Sequence, residues 1–77
     1  MSWLKLHQRA VELALERGQI NYVEYAEIVN VHPSYASQIL AEAAKLDERV
    51  TYYRGVLYSK EAYREKILSE LTRRLSR

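Results

Sequence analysis

Residues 26–40 read AEIVNVHPSYASQIL, and their spacing sets the architecture of the chain. The stretch divides into a helix, a tight turn and a second helix. Ala26 is small, as a residue must be where two helices cross closely. Four residues on, Asn30 stands where the chain needs φ > 0, a region Asn tolerates better than most side chains. Val31 is an apolar peg in the turn. Pro33 fits only the first turn of a new helix, because it lacks an N–H and has a fixed φ. Ala36, Ile39, Leu40 and Ala43 form one apolar stripe, which leaves Ser34, Tyr35, Ser37, Gln38 and Ala41 facing outward. This second helix of the pair, helix three of the chain, is predicted from Pro33 to about Lys45-Leu46, with His32 or the adjacent Ser34 near its cap.

Upstream, a first helix is predicted from about Trp3 to Arg17. Leu6, Ala10, Leu13, Ala14 and Arg17 fall near one face, and Leu4, Val11 and Leu15 broaden the apolar side. An arc this wide implies contacts on two sides, one with the core and one with a partner. Ser2 suits the N-cap, and Gly18 suits a left-handed end. Gln19-Ile20 is a short extended link. Asn21 then caps helix two, with Glu24 spaced for a reciprocal capping bond. Helix two covers Tyr22 to Val29, with core positions expected at Val23, Ala26 and Ile28 or Val29.

Downstream the pattern changes. VTYYRGVLYS, residues 50–59, is rich in β-branched and aromatic residues and is broken by Arg54-Gly55, which predicts a hairpin. A two-residue turn would force Arg54 to φ > 0. A three-residue loop, Tyr53-Arg54-Gly55, needs only Gly55 there and is the expectation. It pairs Tyr52 with Val56 and places Val50, Tyr52, Val56 and Tyr58 on one face, with Thr51, Tyr53 and Leu57 on the other. A last helix over residues 60–76 is capped by Ser59 and has Glu61 in its first turn. Tyr63, Ile67, Leu71 and Leu75 lie four apart along it, with Leu68 adjacent.

At 77 residues the chain is read as one domain, 1–77, whose core is worth about 3–5 kcal/mol net. A deep substrate pocket does not fit beside such a scaffold, and oligomerisation is a natural way to bury more area. There are no cysteines and two well-separated histidines, His7 and His32, so disulfides and a recognisable metal pair are absent. The N-terminal MSWLKLHQRAVELALERG is interrupted by Lys5, His7, Gln8 and Arg9. It has neither a signal-peptide core nor a membrane span, and a cytoplasmic location is expected.

The sequence shows no Gly-rich phosphate loop and no nucleophile–base constellation, so neither an enzyme nor a cofactor is expected. Net charge is +2. Residues 1–31 set Lys5, Arg9 and Arg17 against Glu12, Glu16, Glu24 and Glu27, a net of −1. Residues 32–59 balance Lys45, Arg49 and Arg54 against Glu42, Asp47 and Glu48. Residues 60–77 hold six basic and three acidic side chains, a net of +3. The basic excess is therefore C-terminal.

The order helix, short strand, helix, helix, hairpin, helix, with GQINYVEYAEIVNVHPSYASQIL at residues 18–40, resembles the winged helix-turn-helix family. Gly18 and Ile20 match its helix-to-strand entry, Ala26 its small helix-two residue, and Ile39-Leu40 its closing apolar pair. Asn30 stands where glycine is usual, and Ala36 where valine or isoleucine is commoner. The resemblance spans roughly residues 3–59. It implies an α+β, mostly α fold: a three-helix core, a helix-turn-helix over 21–45, a β-hairpin wing over 50–58 and an added C-terminal helix. A tyrosine-, glutamate- and arginine-rich chain without cysteine also resembles regulators of archaea and of archaeal plasmids and viruses.

The function the resemblance implies is sequence-specific binding of double-stranded DNA, as a transcriptional regulator and a homodimer. A winged-helix protein-interaction module, or a plasmid or viral replication or copy-control protein, is the alternative. Ser34, Ser37 and Gln38 on helix three would read base edges or phosphates, and Tyr35 would contact sugar or phosphate. His32 is a cap first and a candidate phosphate contact second. Arg54, with Tyr53 beside it, would touch DNA from the wing tip. Lys5, Arg73, Arg74 and Arg77 are candidate phosphate contacts, and the three arginines equally suit a helix C-terminus. Tyr22, Tyr25, Tyr52, Tyr58 and Tyr63 are expected at or beside the core, with hydroxyls reaching the surface. Helix one and the last helix are the expected dimer surface.

Overall fold

In a computed structural model that describes residues 3–75, the elements follow α1 (Trp3–Arg17), β1 (Gln19–Asn21), α2 (Tyr22–Val29), α3 (Pro33–Leu46), β2 (Val50–Tyr53), β3 (Val56–Ser59) and α4 (Lys60–Leu75). The expected cap at Ser2 and the candidate contact Arg77 lie outside the described residues. The strands form one antiparallel sheet in the order β1-β3-β2. The result is a small α+β structure, mostly helical.

Local chemistry explains most boundaries. Gly18 ends α1 at φ +87°, and its carbonyl accepts from the Ser59 N–H at 2.9 Å. Asn21 caps α2 by accepting from the Glu24 N–H at 2.8 Å, while the Glu24 carboxylate lies 3.8 Å from Arg17. Asn30 adopts φ 59°, ψ 56°, and both its N–H and that of Val31 return to the Ala26 carbonyl. This satisfies a helix end that Gly usually closes. Val31 packs against the core as the expected peg.

The core lies between α1, α2, α3 and the inner face of the sheet. Ala10, Leu13, Ala14, Ala36, Ile39, Leu40, Ala43, Ile20, Val50 and Leu57 are buried there. On α1, Leu6 and Val11 join them, whereas Leu4 and Leu15 remain exposed.

Helix α2 differs from expectation. Val23 and Ile28 point outward, 46% and 41% exposed, and Tyr25 is fully buried beside Ala26, with Val29 half-buried. Positions 25, 26 and 29 share one arc of a two-turn helix, which excludes 23 and 28. The Tyr25 hydroxyl donates to the Leu6 carbonyl at 2.5 Å. Burial first, and the neighbouring Tyr35 second, push its phenol from 10.0 up to about 12. His7 is likewise buried. Its Nδ1 lies 2.7 Å from the Trp3 carbonyl and its Nε2 3.0 Å from the Glu42 carboxylate, which links α1 to α3.

The hairpin corrects a second expectation. Tyr53 pairs with Val56 and Tyr52 with Leu57, so the loop is the two residues Arg54-Gly55, both at positive φ (47° and 81°). This is the backbone signature of a type I′ turn. Left-handed backbone at Arg54 costs about 1 kcal/mol, but the register it secures turns Leu57 to the core and Val56 and Tyr58 to the other face. Leu57 faces inward with Val50 and Tyr52, opposite Ile20. Thr51, Tyr53, Val56 and Tyr58 share the outer face. The tip tucks onto α2. The Tyr22 N–H donates to the Gly55 carbonyl at 2.8 Å, and a Cβ at Gly55 would meet the Tyr22 ring at 2.9 Å.

Helix α4 packs on that outer face. Ser59 Oγ accepts from the Ala62 N–H at 3.1 Å as the expected cap. Tyr63 meets Tyr58 and Tyr53, with ring centroids 5.7 and 6.1 Å apart. No α4 residue is fully buried. Among the described residues, no helix is long and apolar enough to cross a membrane, and no cluster of ligating side chains could hold a metal ion.

Candidate nucleic-acid interface

Two surfaces carry the sequence-derived candidates, and they differ in kind. The first is the N-terminal half of α3. His32 is its N-cap, in extended conformation, and Nδ1 accepts from the Ser34 N–H at 3.1 Å. Ser34 Oγ lies 2.8 Å from the same nitrogen. A nitrogen that accepts the amide bond has its lone pair in plane, so the ring proton belongs on Nε2 and the hydroxyl donates to Nδ1. Ser34 is thus part of the cap. Ser37 Oγ lies 2.9 Å from the Tyr52 hydroxyl and fastens α3 to β2. Each serine oxygen keeps acceptor capacity, but the two side chains are held by the fold.

Tyr35 and Gln38 are the freer pair. They lie three residues apart on one face, and both are exposed. Tyr35 presents an aromatic ring with a polar tip, and Gln38 both a donor and an acceptor. The outer face of α3 carries no formal charge from Val31 to Ala41.

The second surface is a cleft of about 560 Å³ between the hairpin tip and α4, lined by Tyr53, Arg54, Tyr58, Lys66, Glu70, Arg73 and Arg74. Four cations and one carboxylate face it. The Arg54 guanidinium carbon stands 5.3 Å from the Tyr53 ring centroid, and Lys66 Nζ 5.4 Å from it. Such placements are attractive through the ring quadrupole. Lys66 Nζ donates to Glu70 Oε1 at 2.6 Å. That hydrogen bond holds the Glu70 carboxyl below its ordinary range, with further help from the charges of Lys66, Arg74 and Arg73. It also raises the Lys66 ammonium, against a smaller desolvation effect.

The structure therefore brings Tyr53, Arg54, Arg73 and Arg74 together, and sets His32, Ser34, Tyr35, Ser37 and Gln38 along one helix. Lys5 lies apart, in a shallow depression on α1 with Gln8, Arg9 and Glu12. Lys66 and Glu70 were not among the sequence candidates. A signal for them existed: positions 66, 70, 73 and 74 recur at i, i+4, i+7 and i+8, one face of a helix. What the chain could not reveal is that this face meets the hairpin tip. Compared with known protein families, curated proteins and solved structures, the chain gives no match in any of the three.

Proposed function

We propose that this protein is a winged helix-turn-helix protein that binds double-stranded DNA as a homodimer and acts in transcription control. The observation that carries the reading is the α2–Asn30–α3 unit, with Tyr35 and Gln38 exposed on the first turns of α3. A helix presented in this way suits the major groove. The Ser37–Tyr52 bond supports it further, because it ties the same turns of α3 to the strand that leads into the Arg54-Gly55 turn. Gln38 supplies base discrimination, Tyr35 a backbone contact, and Arg54 a cation at the wing tip.

The homodimer is proposed from apolar side chains left exposed on two helices. Trp3, Leu4 and Leu15 are exposed on α1, and Leu68, Leu71 and Leu75 on α4. A two-fold pair would present two copies of α3 to one side of the duplex, about 34 Å apart.

Selection of bound duplexes from a random pool tests the reading. The expected result is an enriched site with two related halves, altered by Gln38→Ala. The uncharged outer face of α3 favours a second reading, a protein-binding adaptor. That reading takes over if no duplex pool shifts in a gel at low salt, where a DNA binder holds most tightly.

A further inference from the structure

The cleft beside the hairpin is not explained by reading through α3. Its lining carries a net of +3 from Arg54, Lys66, Arg73 and Arg74 against Glu70. The remainder of the lining is tyrosine. Isolated cations this close repel one another, and the structure meets that repulsion with a single carboxylate lodged among them.

The direction of α4 places this charge. The helix starts at the base of the hairpin, where the Lys60 N–H donates to the Arg49 carbonyl at 3.0 Å. Two turns later Lys66 stands over Tyr53, next to the tip. Arg73 and Arg74 follow beyond it. Tyr52, on the strand leading to the tip, is bonded to Ser37 of α3. Along the strands the cleft is thus level with the first turns of α3, on the other face of the hairpin. From Lys66 to Arg73 the helix rises about 10 Å, the axial span of about three phosphates of one DNA strand.

The chemistry selects backbone over bases. Tyr58 is buried, and the Tyr53 ring already has Arg54 and Lys66 against it and Tyr63 at its edge. Stacking platforms for bases need an open aromatic face. A cleft whose rings support cations offers point charges to phosphate oxygens instead.

We propose that this cleft seats the sugar–phosphate backbone of the duplex beside the stretch that α3 meets. Arg54, Lys66, Arg73 and Arg74 take its phosphates, and Glu70 is the internal anion they hold in the free protein. The proposal rests on the DNA-binding reading. Entry of phosphate displaces Glu70 from Lys66, so Glu70 opposes binding and sets its strength.

Fluorescence anisotropy with a mixed-sequence duplex of about 30 base pairs, over a range of salt, tests this. The combined Lys66→Ala, Arg73→Ala, Arg74→Ala variant is expected to flatten the slope of log affinity against log salt by about 2.7. Its loss of affinity between about 50 and 200 mM salt then becomes about 40-fold smaller than that of the unaltered protein. Glu70→Gln is expected to act in the opposite direction. It binds more tightly at low salt, because the carboxylate that competes with phosphate for Lys66 is gone. An unfolding artefact cannot produce that gain. Replacing Arg73 and Arg74 by Lys should retain the slope.

Duplex binding by the triple variant with an unaltered slope overturns the proposal and leaves the α3 reading standing. No duplex binding by the unaltered protein at low salt overturns both. Saturable ATP binding at Arg54 and Lys66, with an unaltered duplex slope in the triple variant, assigns the cleft to a free phosphate ester and also overturns the proposal.

Discussion

Helices α3 and α4 lie on opposite faces of the same hairpin. Helix α3 inserts Ala36, Ile39, Leu40 and Ala43 fully into the core and adds the Ser37–Tyr52 hydrogen bond. Helix α4 has no fully buried residue. It is held by Tyr63, a half-buried Ile67 and the cap at Ser59, while Leu71 is 48% and Leu75 84% exposed. Charge follows the reverse order, with a neutral outer face on α3 and a basic one on α4. Buried area fixes the position of a surface, and long-range charge needs no such fixing. A rigid neutral helix suits geometric discrimination. A loosely seated basic helix suits attraction and assembly.

The largest test of this contrast is Leu40→Ala. It should cost about 2–5 kcal/mol, comparable to the whole stability expected of a chain this size, about 3–5 kcal/mol. Urea denaturation should find it largely unfolded. Leu71→Ala should fall within about 0.5 kcal/mol of the unaltered protein. Equal losses at the two positions would break the comparison.

Alkaline titration comes next, and through Tyr25 it probes the core that α1, α2 and α3 share. The folded state holds the Tyr25 phenol at about 12, against 10.0 in its ordinary state. The fold therefore prefers the neutral form. Its contribution is complete below pH 10 and is lost as pH rises from there through about 12, amounting to about 2–3 kcal/mol. Tyr25→Phe should flatten stability over that window. A slope that survives the substitution would place the responsible group elsewhere.

A smaller effect is expected at the join between α3 and the hairpin. Tyr52→Phe removes the partner of Ser37 and should cost about 0.5–1.5 kcal/mol in thermal or urea unfolding. The smallest stability effect belongs to α4. Leu71→Ser combined with Leu75→Ser should leave unfolding unchanged within about 0.5 kcal/mol and convert the proposed dimer to monomer in sedimentation. Unchanged sedimentation would remove α4 from the dimer surface.

Much of this was legible in the chain. Asn21, Asn30, Pro33 and Gly18 act through their own backbone preferences, so their positions mark boundaries without reference to distant residues. The stripe 36, 39, 40, 43 needs only helical periodicity. Val23 and Ile28 were misjudged because an eight-residue helix offers too few turns to tell its inward arc from apolar residues alone; Tyr25 was expected at the core, but its hydroxyl bonds Leu6 inside rather than reaching the surface. The hairpin register was misjudged because strain at Arg54 is a local cost, whereas burial of Leu57 against Ile20 is a distant gain. The candidate α3 face was readable residue by residue. That Ser34 and Ser37 are engaged by His32 and Tyr52 was not, since a side-chain hydroxyl bonds whatever the fold brings within reach.

By itself the sequence determined where helices begin and end, which face of α3 turns inward, and that positive charge gathers late in the chain. Those properties follow from bond rotation, capping and periodicity, all of which act within a few residues. Only the tertiary structure decided that α4 folds back past the hairpin tip, so that Tyr53 and Arg54 meet Lys66, Glu70, Arg73 and Arg74 in one cleft. Those side chains converge through a strand register and a helix packing direction. Both are set by burial summed over the whole sheet, and no short window of sequence contains that sum.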